Sequence, residues 1–216
     1  TLPDDLEVDT FDGCAWLSVV GFRLSNLRIR PLTFLKWSDF WEVNLRTYIK
    51  DKTGRKGVWF YSLDSNDPFG VFGARLLYGL RYFNARIDRL GDPQIGEVSF
   101  SSTRKDGAGS RIEAAWNVDD IGTDLAKEQL DQFLLERYRF WARRSWDKKS
   151  TSAKVKHQPY DAVRLRKSYY QGELFSTQGL NEPEKEPEFG HYCPGFPVEA
   201  TAPAWAFSIS GQANQR

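Results

Sequence analysis

A chain of 216 residues, 40% hydrophobic and 27% charged, has room for one substantial core and the composition of a soluble globular protein. Thirty basic against 29 acidic side chains leave a net charge of +1, without the basic excess that nucleic-acid binding requires. No run approaches the roughly 18 apolar residues that span a bilayer, and no charged-then-apolar leader opens the chain, so a cytoplasmic protein with no nucleic-acid and no membrane partner is expected.

The string starts at Thr1 and contains no methionine, for which the expectation is a missing N-terminal segment or, alternatively, modified methionines absent from the string. Cys14 and Cys193 lie far apart; two buried free thiols are the expectation, with a single disulfide as the alternative. Along the chain, Gly13–Leu24 is a β-branched run. Glu42–Asp51 alternates, with Val43, Leu45, Thr47 and Ile49 on one face and Asn44, Arg46, Tyr48 and Lys50 on the other. Gly57–Asp64 follows the turn-like "DKTGRKG", predicting a hairpin. Pro68–Leu80 reads as a short helix, about 69–79, opened by Pro68 and closed near Gly79. "IGEVSFSST" and "SRIEAAWNV" predict a second hairpin around "RKDGAGS".

A long helix is predicted over about 124–144. Asp124 caps it, and Leu130, Phe133, Leu134, Tyr138, Trp141 and Ala142 fall on one stripe at helical spacing. Arg137, Arg139, Arg143 and Arg144 crowd the end where cations suit the helix dipole, and Glu136–Arg137 is expected to make local helix and sheet-edge ion pairs. Further strands are expected in "DAVRLRKSYY", "GELFS" and "AWAFSI", with "NEPEKEPE" a solvated loop. Strands at such intervals favour an antiparallel sandwich or barrel, and 1–216 reads as a single domain.

Motifs of catalysis are scarce. No phosphate-cradling glycine loop, nucleophile elbow or paired cysteine spacing occurs, and His157 and His191 stand apart, so neither a metal site nor a cofactor is expected. The eight Trp, nine Tyr and fifteen Phe are better explained by core packing than by base stacking at this net charge.

"LPDDLEVDTFDGCAW", "FWEVNLRTYIKD", "GVWFYSLDS", "ARLLYGLRYFNARI", "FLLERYRFWA" and "HQPYDAV" occur in order, and together they resemble the YqjF-like family of uncharacterised bacterial proteins. The resemblance runs from Leu2 to about "YCPGFPVEA", and members of that family carry a further segment before "LP…DTFDG". It implies the acetoacetate decarboxylase-like superfamily: mainly β, with an antiparallel sheet wrapped into a cone-like barrel around a small-molecule cavity. The decarboxylase stretch "LD…P…GR…YPKK" is matched by "SLDSNDPFGVFGARLLYGLRYF", in Leu63, Asp64, Pro68 and Arg75. Its lysine pair, the first of which forms the Schiff base, falls on Tyr82 and Phe83. A phenol forms no imine, so decarboxylation through one is not expected.

The resemblance makes Asp64, Arg75 and Tyr82 candidate ligand-binding residues, with Tyr82 also the catalytic candidate. Tyr82 suits donation to a carbonyl, and Arg75 suits a bidentate clamp on a carboxylate. Asn44, Arg46 and Tyr48 share one strand face and join the set. Against this stand a packed aromatic at Tyr82, a solvated or ion-paired Arg75, and an Arg46 face on the outside of the barrel. Three functions remain open: a small-molecule-binding β-cone for a carboxylate or carbonyl compound; an enzyme using Tyr82 with Arg75 or Arg46 without an imine; and a structural or homo-oligomer-forming protein with a vestigial cavity.

Overall fold

The computed structural model describes residues 2–29, 39–68, 79–121, 128–143, 150–200 and 209–214. In chain order the strands are β1 (Leu6–Val8), β2 (Thr10–Phe11), β3 (Cys14–Ala15), β4 (Leu17–Ile29), β5 (Phe40–Asp51), β6 (Lys56–Ser65), β7 (Tyr82–Leu90), β8 (Glu97–Arg104) and β9 (Gly109–Ala115). After the helix α1 (Gln129–Leu135) come β10 (Arg139–Arg143), β11 (Ser150–Lys156), β12 (Val163–Arg164), β13 (Lys167–Gly172), β14 (His191–Tyr192), β15 (Phe196–Ala200) and β16 (Ile209–Asn214). The fold is mainly β, and α1 is the one α-helix among the fully described elements. No helix there is long and apolar enough to cross a membrane.

A large sheet runs in the order β1-β5-β4-β16-β15-β11-β10-β6-β7-β8-β9-β13, and β5 also pairs with β6. The predicted hairpins are present: β5 and β6 are antiparallel with a bulge at Leu45/Arg46, and β8 and β9 are antiparallel around the Arg104–Gly109 turn. Two pairings depart from the antiparallel expectation. One edge of β6 is shared between β10, parallel along Val58 and Trp59, and β7, parallel along Leu63–Ser65. Gly57 permits the first of these, since a Cβ there would meet the Arg139 carbonyl oxygen at 2.4 Å.

Both faces of β5 are buried, which alternation alone does not demand. Val43 and Leu45 pack with Ile87, Val98, Phe100 and Trp116, whereas Tyr48 packs with Leu63, Phe133, Phe140 and Ala153. Ile49 closes a third cluster with Leu6, Trp59 and Trp141.

The predicted long helix is the main correction. Residues 129–135 are helical, the chain leaves the helix at Glu136, and Arg139–Arg143 is strand β10. Phe140 and Ala142 then pack beside Tyr48 while Trp141 turns to the Ile49 cluster, as period two requires. Backbone pairing with β6 and β11 on both edges outweighs the helical stripe. Among the described residues, Arg137 makes its ion pair at the sheet edge rather than along the helix. Its Nε donates to the Phe133 carbonyl at 2.7 Å, closing the helix end, and its Nη1 meets Asp9 at 2.7 Å. Residues 124–127 and 144 of that prediction lie outside the described residues, as do 69–78 of the short helix and 204–208 of the last predicted strand. "GELFS" is not a strand; it leads into a 3-10 turn at Ser176–Gln178. Both cysteines are thiols rather than a disulfide, and Cys14 is exposed rather than buried.

Candidate functional site

Strand alternation along β5 sets Glu42, Asn44, Arg46 and Tyr48 on one face. Glu42 was not among the sequence candidates, and it is the centre of the cluster. Only 3% of it is exposed. The Tyr82 hydroxyl donates to its Oε2 at 2.7 Å, and Asn44 Nδ2 donates to its Oε1 at 2.9 Å. Both donors are neutral, so the carboxyl gains hydrogen bonds without a contacting cation. Burial therefore pushes it up to about 7, helped by the charge of Asp64 and opposed by the two hydrogen bonds and by Arg46.

Tyr82 reaches this position because the chain turns at Gly79, whose φ of 68° is the left-handed conformation glycine adopts freely. Buried Leu80 follows, and β7 begins at Tyr82 directly opposite Leu63 of β6. The half-buried ring packs against the Tyr48–Leu63–Phe133 cluster. Arg46 is half-buried; its guanidinium lies 6.0 Å from the Tyr48 ring, and its Nε is buried with no hydrogen-bond partner. Burial raises the Tyr160 phenol, and Arg46 opposes that rise. Asn44 Oδ1 is likewise buried and unpartnered. Tyr48 is fully buried, with its hydroxyl 2.6 Å from Ser18 Oγ and its ring 5.1 Å from Phe133.

Asp64 does not join this group. It points to the opposite face of β6, where it accepts from Ser102 Oγ and from Arg104 Nε, each at 2.7 Å. Arg104 in turn lies 4.0 Å above the Phe83 ring. Burial raises the Asp64 carboxyl, and Arg104 is the chief opposing cause. Arg75 lies outside the described residues. The structure thus brings together Asn44, Arg46, Tyr48 and Tyr82 of the sequence candidates and adds Glu42. Extending the alternation of "WEVNLRTY" one step towards the N-terminus reaches Glu42, which is the signal that was available.

His191 acquires a partner that its isolation in sequence concealed. Its Nε2 lies 2.7 Å from Oδ1 of fully buried Asp131 on α1, whose Oδ2 meets Arg164 at 2.8 Å. His157 packs as an aromatic, 4.5 Å from Tyr138 and 4.8 Å from Phe196.

The family model DUF2071, described as an uncharacterised conserved protein, matches residues 1–197. The chain belongs to the DUF2071 family. The uncharacterised protein YqjF of Bacillus subtilis is 32% identical over 187 residues, which cover 86% of this chain and 75% of that one. Among solved structures, the acetoacetate decarboxylase of Legionella pneumophila superposes with a TM-score of 0.54 at 9% identity, covering 90% of this chain and 83% of that chain. The enduracididine biosynthesis enzyme MppR, solved with pyruvate, gives 0.54 at 9% identity, covering 93% and 86%. At these identities the likeness is one of fold. It agrees with the acetoacetate decarboxylase-like architecture that the ordered sequence motifs implied for this DUF2071 member.

Proposed function

We propose that the chain binds a small carbonyl or carboxylate compound against the Glu42 face of β5. The succession β5, β4, β16, β15, β11, β10, β6 and back to β5 supports a sheet wrapped as a cone about that face. The carrying observation is the unspent hydrogen bonding beside a neutrally poised carboxyl: Arg46 Nε and Asn44 Oδ1 lack partners next to Glu42. A buried polar atom left unpaired costs about 1–3 kcal/mol, and a ligand carbonyl or carboxylate opposite Arg46 offsets that cost. MppR, which shares the fold, is a pyruvate complex, so pyruvate is a natural first probe.

Glu42 also favours a second reading, an enzyme that moves a proton without an imine. A carboxyl near 7 both gives and takes a proton at neutral pH. Once Glu42 has taken a proton, the Tyr82 O–H is released from it to donate to the ligand oxygen, in the place where an imine-forming enzyme of this fold has its lysine.

Calorimetric titration with pyruvate and acetoacetate is the test of binding. Saturable binding that weakens about tenfold in Tyr82→Phe and in Arg46→Gln is the expected result. No binding at millimolar concentration, or binding indifferent to both substitutions, removes the proposal and leaves a vestigial cavity. For the second reading, Glu42→Gln should stop exchange of the ligand's α-protons with deuterated water. Borohydride should leave the protein mass unchanged in either case.

A further inference from the structure

The candidate site sits where the sheet forks. One edge of β6 passes from β10 at Val58–Trp59 to β7 at Leu63–Ser65, so the wall carrying Glu42 continues sideways into β7 and β8. Register makes the continuation explicit. Glu42 is opposite Ser65, Ser65 is opposite Asn84, and Arg86, two residues on, is opposite Thr103. Alternation puts these side chains on one face, with Lys105 one step beyond the last registered pair.

A groove of about 750 Å³ lies along this face, lined by Ser65, Asn66, Asn84, Arg86, Thr103 and Lys105 among others. Ligand sites commonly occupy 300–1,000 Å³, and a three-carbon acid fills only a small part of this one. Its polar groups are unevenly committed. Arg86 is held by Asp88, which also lines the groove, at 2.9 Å. Asn84 Oδ1 is buried without a partner, and Lys105 is exposed with no ion-pair partner among the described residues. The outer end therefore lacks an anion.

We propose that this groove is a subsite for the distal, anionic end of an elongated ligand whose carbonyl end reaches Glu42 and Tyr82. The proposal rests on the reading of the β5 face given above. Three strand spacings separate Glu42 from Lys105, roughly 14 Å between backbones, and the two side chains shorten the gap that the ligand spans. The fitting class is a 2-oxo acid with a second carboxylate several carbons away.

The experiment titrates the full chain with pyruvate, with 2-oxo diacids from 2-oxoglutarate to 2-oxosuberate, and with 2-oxooctanoate as a tail of similar length without charge. The longer diacids should bind roughly fivefold tighter than pyruvate or 2-oxooctanoate, and Lys105→Glu should collapse that ratio to about one. Equal affinity for diacids and 2-oxooctanoate, or a ratio that survives Lys105→Glu, overturns the subsite. Pyruvate binding that depends on Tyr82, with no diacid gain, leaves the inner site standing and removes the subsite. Diacid binding that needs Lys105 but ignores Tyr82→Phe retains the groove as an anion site and removes the inner-face reading. Absence of binding by any probe removes both.

Discussion

Glu42 and Asp64 are both buried carboxylates on neighbouring strands, and their surroundings differ in one respect. Asp64 has a guanidinium, Arg104, bonded to it at 2.7 Å; Glu42 has a phenol and an amide. In both, burial disfavours the charged form. For Asp64 the guanidinium supplies an opposing charge at contact, so the carboxylate and its cation form one structural unit. For Glu42 neutral donors return only part of the lost hydration, and the proton stays in play near pH 7. A buried acid is therefore read by the charge of its donors more than by its depth. Sequence reasoning selected Asp64 by its match to a family motif, yet the face of β6 on which it stands commits it to holding β6 and β8 together.

The contrast is most severely tested at Arg104. Arg104→Met leaves Asp64 buried and unpaired, and should cost about 3–5 kcal/mol in urea denaturation. Adding Asp64→Asn should recover most of that loss. A single-variant cost below about 1 kcal/mol would show that Arg104 is not what sustains the buried carboxylate.

The next effect is one of pH. Glu42 has its folded pKa raised to about 7 from an ordinary 4.5, so between those values the folded state retains a proton that the unfolded chain has lost. Stability from this group is thus greatest below pH 4.5 and falls as pH rises to 7, by up to about 3 kcal/mol in total. Denaturation at pH 5 and pH 8 should show that decline in the wild type and a flatter profile in Glu42→Gln. An identical slope in both proteins would contradict the assignment of Glu42 as the titrating group.

Tyr82→Phe is the mildest change, costing about 1 kcal/mol of stability. Because the Tyr82 hydrogen bond lowers the Glu42 pKa, its removal should move the Glu42 midpoint upward, as read by carbon-detected titration of labelled glutamate. A midpoint that stays in place or falls would mean that the phenol does not bond the carboxylate form.

Much of the sheet was legible because its signals are local. The alternation of 42–51 and the glycine-rich turns specify hairpins whose partners are adjacent in sequence. What failed was non-local. "RYRFWARR" fits a helical stripe as readily as a strand, and the choice is made by β6 and β11, which lie on either side of β10. The parallel neighbours of β6 left no trace in any hydrophobic period. The site was half legible for the same reason: Asn44, Arg46 and Tyr48 follow from alternation, whereas pairing Tyr82 with Glu42 requires the register of β7 on β6.

The position of β16 bears on how such a chain comes to be folded at all. Backbone partners there are Ile209 with Ile29 on one side and Ile209 with Ala200 on the other. A strand from beyond residue 208 therefore has to arrive between two others before β4 and β15 have both edges occupied. Topologies dominated by such distant pairings fold on the order of milliseconds to seconds, far more slowly than helical bundles. During synthesis the earlier strands wait with open edges, each a template for pairing with another chain. Dilution or a holding chaperone during that interval should matter more to the yield of this protein than any single core contact.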